Sequence, residues 1–410
     1  KKMALKSLTR AQNKIKIKDL KLNALLEVML AINSNVSKEK LFEIYNNVLR
    51  ELEIEKIALY IYESEWNLAT CYGLKAEEIS INVEADLLKY EEIEEVNSIT
   101  DGIFKEFDIL IPVYHKTKPL AYLLIGDIIN EAIQISPIIK HLPFIQTFTN
   151  IIAVAIENKN LAKEAIRQER IKKELELASE MQTMLLPTTL PNDNNLEISA
   201  FYKSHQQVGG DYYDVIWVNQ TEIAMCIADV SGKGVSAAIL MSNFQANLKA
   251  GVKHSVSLPE LVQDLNEKVI SSAKGEKFIT MFIATYNIES RQLTYINCGH
   301  NPPVLKNGTE IIELEDGCPG LGMLDYLPSP KIGSIDVLPS STLVTYTDGL
   351  VEVENNNQIE YGTQKVKKAI LKFPNSSMDE LNRYLIDDLT KFKQNQPFVD
   401  DIAILSCKFI

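Results

Sequence analysis

The chain has 410 residues, enough for two or three domains with full cores. Its hydrophobic share of 46% and charged share of 24% are those of an ordinary globular protein, which excludes a disordered or fibrous chain. A net charge of −13 argues against a nucleic-acid partner.

Residues 1–22 are basic and read as an N-terminal helix. Helical spacing becomes clear at Leu25, Leu26, Val28, Met29 and Ile32, and Asn33-Ser34-Asn35 ends it. Ser37 caps a second helix over Lys38 to Leu52, with Leu41, Ile44, Tyr45 and Val48 on one face. Strands are expected at Lys56 to Tyr62 and Trp66 to Tyr72, ended by Gly73. Residues 75–106 are acidic and give no clear pattern. Phe107 to Tyr114 and Leu120 to Ile125 read as a hairpin around Lys116-Thr117-Lys118-Pro119. A long helix is expected to begin near Pro137.

Asn158 to Leu186 has no helix-breaking Gly or Pro before Pro187. Ile171, Leu175, Ala178, Met181 and Leu185 form a narrow apolar stripe with a highly charged outer face. That favours a helical, dimeric coiled-coil linker over a solvated surface helix. Arg167-Gln168-Glu169-Arg170 interrupts the seam. Further on, Val235 to Ala250, Pro259 to Ala273 and Met378 to Lys393 read as helices. Phe278 to Asn287 and Leu293 to Cys298 read as paired strands.

The cysteines are Cys71, Cys226, Cys298, Cys318 and Cys407. They are odd in number, scattered, and lack a Cys-x-x-Cys pair, which points to reduced thiols and a cytoplasmic location. The five histidines form no zinc-type cluster. The longest apolar run, Ile138 to Ile156, contains Lys140, His141, Gln146 and Asn150, so no membrane segment is expected in these residues.

Four stretches each deliver an Asp at a strand end or turn. They are Gln206-Gln207-Val208-Gly209-Gly210-Asp211-Tyr212-Tyr213-Asp214, Ile227-Ala228-Asp229-Val230-Ser231-Gly232-Lys233-Gly234, Leu343-Val344-Thr345-Tyr346-Thr347-Asp348-Gly349 and Phe398-Val399-Asp400-Asp401-Ile402. Asp211, Asp229, Asp348 and Asp400 offer oxygen only, which suits Mg²⁺ or Mn²⁺. Clustered carboxylates repel unless cations neutralise them. Asp214 reads as an ordinary strand-end or turn residue. His300, with no visible partner, reads as a turn or core histidine rather than a general acid.

Together with Cys298-Gly299-His300-Asn301-Pro302-Pro303, these motifs resemble the bacterial SpoIIE/RsbU group of metal-dependent protein serine/threonine phosphatases (the PPM family), related to protein phosphatase type 2C. The resemblance covers roughly residues 188–410. It implies a β-sandwich of two antiparallel sheets flanked by helices, with two metal ions, Mn²⁺ or Mg²⁺, in a cleft at one end. Asp211 would bridge them, Asp229 and the backbone carbonyl of Val230 would bind one, and Asp348 and Asp400 would bind the other or orient its waters, with Asp401 in support. The implied reaction is hydrolysis of phosphoserine or phosphothreonine by a metal-activated water, without a phosphoenzyme. The implied substrate is a phosphorylated STAS-type anti-sigma factor antagonist. Ala403 stands where the family usually has Thr. No Arg occurs in Lys203-Ser204-His205-Gln206-Gln207, where type 2C relatives carry a phosphate-gripping one, and Ser231 replaces their His. The resemblance therefore assigns neither the phosphate grip nor the general acid.

Residues 23–157 resemble a GAF domain in order: helix, helix, strands, then a closing helix. The pattern fits ligand sensing and a purely structural or dimerising role equally. The expected class is thus α+β: an N-terminal helix (1–22), a GAF-like α/β sensor domain (23–157), a coiled-coil linker (158–187) and a phosphatase β-sandwich (188–410). A homodimer through the linker and N-terminal domain would follow. The competing reading is a catalytically weak signalling scaffold that binds metal and partners.

Overall fold

The computed structural model describes residues 2–96, 104–126, 139, 141–254 and 257–410. The chain forms two compact units, Lys1–Glu169 and Arg170–Ile410, and the boundary falls inside the expected 158–187 connector.

The first unit opens with α1 (Lys2–Asn33) and α2 (Lys38–Glu51). Residues 1–22 are not a separate element, because one helix runs on to Asn33. The Ser37 hydroxyl accepts the Lys40 N–H at 3.2 Å, the expected cap. Five strands follow: β1 (Lys56–Tyr62), β2 (Trp66–Tyr72), β3 (Glu94–Glu95), β4 (Ile109–His115) and β5 (Lys118–Gly126). They form an antiparallel sheet ordered β2-β1-β5-β4-β3. In β1, Ile57, Leu59 and Ile61 enter the core shared with the helices. Ala58 and Tyr60 point the other way, into a second cluster with Leu87, Phe107 and Tyr122. Both faces are covered, so the strand reads as one apolar run rather than an alternation.

Helix α3 (Leu142–Thr183) buries Ile145, Phe148, Ile152 and Ile156 in the first core. Its expected start near Pro137 lies outside the described residues. The connector is not a separate helix, because α3 passes through Arg167–Arg170 without a break.

The second unit continues with β6 (Leu196–Lys203), β7 (Tyr212–Trp217), β8 (Glu222–Val230), α4 (Val235–His254), α5 (Leu258–Ala273), β9 (Ile279–Asn287) and β10 (Gln292–Cys298). Then come β11 (Val304–Asn307), β12 (Glu310–Glu313), β13 (Gly317–Cys318), β14 (Gly333–Asp336), β15 (Ser341–Tyr346), α6 (Asp348–Val351), α7 (Thr363–Lys372), α8 (Met378–Lys393) and β16 (Ile402–Phe409).

One sheet runs β13-β10-β9-β8-β7 with β14 also on β10, and the other runs β12-β11-β15-β16-β6. Pairing is antiparallel except that β13 joins β10 in parallel. The inner faces meet through Ile227, Phe282 and Leu293 on one side and Leu343, Leu405 and Phe409 on the other. Tyr286 and Phe409 cross the interface with ring centroids 4.6 Å apart. In β16, Ala403, Leu405, Cys407 and Phe409 face this core. Ile402 and Ile404 face outward, under Val366 of α7 and Leu381, Leu385 and Leu389 of α8. Phe244, Leu248 and other residues of α4, with Leu261 and Leu265 of α5, join the core on the first sheet's side. The sandwich with flanking helices is therefore as expected. The scattered cysteines are partly reunited, since Cys298 and Cys318 are register partners with sulfurs 3.7 Å apart and unbonded.

Candidate active site

Strand register explains how four distant aspartates meet. Strands β7 and β8 are antiparallel with Tyr212 opposite Ala228, which sets Asp211 beside Asp229. Strands β15 and β16 are antiparallel with Tyr346 opposite Ile404, which brings Asp348 and Asp400 to the matching end of the other sheet. The sandwich joins the two ends. Asp211 and Asp229 perturb each other's titration, and Asp229 also feels the charges of Asp348, Asp400 and Asp401.

This crowding has an electrostatic signature. Burial, then the Asp229 charge, holds Asp211 well above the usual carboxylate range, against a hydrogen bond from Thr347 that pulls it down. Burial and then Asp348 raise Asp229. Burial and then Asp400 raise Asp348. Lys233 brings a cation among them: its Nζ lies 2.7 Å from Asp400 Oδ2 and also meets the Val399 carbonyl.

The loops are fastened by side chains. Asp401 accepts the His205 N–H at 2.7 Å and the Gly210 N–H at 2.6 Å, so it holds the loop before Asp211. A Cβ on Gly209 would run into the Tyr202 hydroxyl and the Asp401 carboxylate, so only glycine fits there. Gly232 and Gly234 have φ of +81° and +77°, which turns the chain sharply after Val230. Lys277 Nζ closes that turn on the Ser231 carbonyl at 2.8 Å. Thr347 is the residue that sequence reasoning missed. It precedes α6 yet does not cap it. Instead its hydroxyl donates to Asp211 Oδ2 at 2.6 Å and accepts the Ala403 N–H at 2.9 Å, tying one sheet to the other. Its only sequence signal is its place beside Asp348.

His300 takes the core role expected of it, whereas Asp214 lies inside β7 rather than at a strand end or turn. Asp214 is buried, accepts the Tyr212 hydroxyl and the Val215 N–H, and pairs with Lys249 of α4 at 3.2 Å. His300 is buried beside Thr280, with Nδ1 3.0 Å from its hydroxyl, and burial pushes its pKa down to about 4. It is neutral at physiological pH.

Among the described residues, no three Asp, Glu, His or Cys side chains converge as a ready-made cage for one ion. The donor set still fits hydrated hard cations. Such ions keep several waters and need one or two carboxylates each, and a backbone carbonyl can complete the set. The Val230 carbonyl is at hand, 3.0 Å from where a Cβ on Gly210 would sit. Buried carboxylates that raise one another's pKa are stabilised by such a charge.

Comparison with known proteins agrees with this geometry. Residues 219–410 match the family model "Stage II sporulation protein E (SpoIIE)", which takes in Asp229, Asp348 and Asp400. The C-terminal unit is a SpoIIE-type PP2C phosphatase domain. Its class is that of the protein-serine/threonine phosphatases. The chain is 29% identical over 243 residues to "Phosphoserine phosphatase RsbU" of Bacillus subtilis, covering 58% of this chain and 70% of that protein. It is 26% identical over 187 residues to "Phosphoserine phosphatase RsbP" of the same organism, covering 44% of this chain and 46% of that protein. The SiaA PP2C domain of Pseudomonas aeruginosa shares the fold, with a TM-score of 0.54 at 20% identity over 60% of this chain and all of that domain. No described helix is long and apolar enough to cross a membrane.

Proposed function

We propose that the chain is a cytoplasmic phosphoserine/phosphothreonine protein phosphatase that uses two divalent ions, Mn²⁺ or Mg²⁺. The carrying observation is the convergence of Asp211, Asp229, Asp348 and Asp400 from two sheets onto one edge. Asp211, deepest and beside Asp229, would hold the ions together with Asp229, the Val230 carbonyl, Asp348 and Asp400, while Asp401 holds the loop before Asp211. When bound, such ions supply Lewis acidity at phosphorus and lower the pKa of a water. Thr347 orients Asp211 throughout. Lys233, paired with Asp400, is the cation nearest the cluster and takes the phosphate-binding part that type 2C relatives give to Arg. No activated Cys or Ser is needed, since water can attack directly.

The substrate is a phosphorylated STAS-type anti-sigma factor antagonist, a reading supported by the kinship with RsbU. The first unit acts as a GAF-like regulatory domain, supported by its order of helices and strands. The chain is a homodimer through α3 and the first unit. Ile171 and Met181 of the apolar stripe are 46% and 61% exposed on the single chain. Mn²⁺-dependent hydrolysis of an aryl phosphate separates this enzyme from a weakly catalytic scaffold, which would bind ions without turnover. Phosphosite mapping of the native cytosol with and without the protein identifies the substrate.

A further inference from the structure

We infer that Gln182, at the end of α3, is a positioning residue that clamps the loop delivering Asp211 and thereby sets the affinity of the acidic cluster for metal. The inference rests on the metal-dependent reading above. Gln182 is a buried polar residue, 8% exposed. Its Nε2 donates to the Gly209 carbonyl at 2.6 Å, and the Gly209 N–H donates to its Oε1 at 3.0 Å. A primary amide that pairs with the N–H and the C=O of one residue replaces a neighbouring strand. The two bonds also fix the amide's orientation, because only its nitrogen can donate to a carbonyl.

Gly209 and Gly210 stand outside the strand pairing, which starts at Tyr212. Side chains hold their N–H groups instead: Gln182 for Gly209 and Asp401 for Gly210. The peptide clamped by Gln182 is two residues from Asp211. Next to it, Gly210 is pressed close to the Val230 carbonyl. Movement at Gly209 therefore displaces both a carboxylate and a carbonyl of the cluster. Gln182 itself cannot drift, because Leu186, four residues on, is buried in the sandwich core.

Gln182→Met keeps length and volume but loses both hydrogen bonds, leaving a buried peptide unpaired. Titrating Mn²⁺ alone into the full chain by calorimetry should show binding about tenfold weaker than in the unaltered protein. Turnover at saturating Mn²⁺ should fall far less than the affinity. A purely structural contact would instead lower the melting temperature and leave the Mn²⁺ affinity of the folded protein unchanged, and that result overturns the inference. Hydrogen exchange on the unaltered protein keeps the test open if the variant does not fold. The Gly209 amide should be protected like those of β7, and exchange at the rate of a free loop would refute the clamp. If the unaltered protein binds no Mn²⁺, the metal reading fails and the clamp's role with it. Equal binding by both proteins removes the clamp alone.

Discussion

Asp211 is the residue on which the site turns, and replacing it should separate stability from function. It is 1% exposed and raised in pKa by burial and by Asp229. A carboxyl whose folded pKa lies above its unfolded value favours folding at low pH. That contribution is lost as pH rises through the folded pKa. At pH 8 the metal-free protein therefore carries a penalty that Asp211→Asn removes. The Asn oxygen can still accept the Thr347 hydroxyl, so the fold keeps that link. The expected outcome is a higher melting temperature of the metal-free protein, at roughly 2–4 °C for each kcal/mol gained in a unit of this size. The gain should shrink as pH falls toward 5. On the proposed reading the same substitution removes a metal-holding charge, so turnover should be nearly abolished at any Mn²⁺ concentration. Scanning calorimetry in chelator and Mn²⁺-dependent turnover would be measured side by side. Asp214→Asn is the control. It should cost about 1–2 kcal/mol of stability by weakening the contacts to Tyr212 and Lys249, with Mn²⁺ dependence unchanged. If Asp211→Asn destabilises the metal-free protein and retains full activity, the charge-crowding argument is wrong.

Three further outcomes are expected. His300, with its folded pKa depressed to about 4 from 6.5, contributes stability that is complete above pH 6.5 and lost as pH falls toward 4. His300→Gln should reduce the fall in unfolding free energy over that window, read from urea titrations, by at most about 3 kcal/mol, and an unchanged pH dependence would rule this out. Leu175→Asp should shift the chain toward monomer in light scattering, because it places a charge in the apolar stripe; unchanged mass would move the dimer contact to the first unit or remove it. A chain starting at residue 170 keeps Gln182 and Leu186, whereas one starting at 188 loses both. The shorter one should need more Mn²⁺ for half-activity, and identical curves would leave α3 without influence on the metal site.

Much of this was legible because periodicity and punctuation agreed. Strands β1 and β2 and helix α8 begin and end where their apolar spacing and, for β2, the flanking Gly73 say. The four aspartates were visible because each follows or precedes a β-type run. Other features depended on partners that sequence does not name. Thr347 reads as one more strand residue, and its bond to Asp211 spans 136 positions. Gln182 reads as a polar position beside the stripe, and its partner appears only once the loop closes on it. The hairpin β11–β12, which turns at Gly308, carries too little periodicity to be read from sequence because each strand is only four residues long.

The most direct test is release of inorganic phosphate from a phosphoserine peptide by the full chain, titrated with Mn²⁺ and reversed by chelator. The account predicts turnover that rises with Mn²⁺, disappears with chelator and is lost in Asp211→Asn and Asp348→Asn alike. Phosphate release that persists in chelator, or that survives either substitution at saturating Mn²⁺, would contradict it.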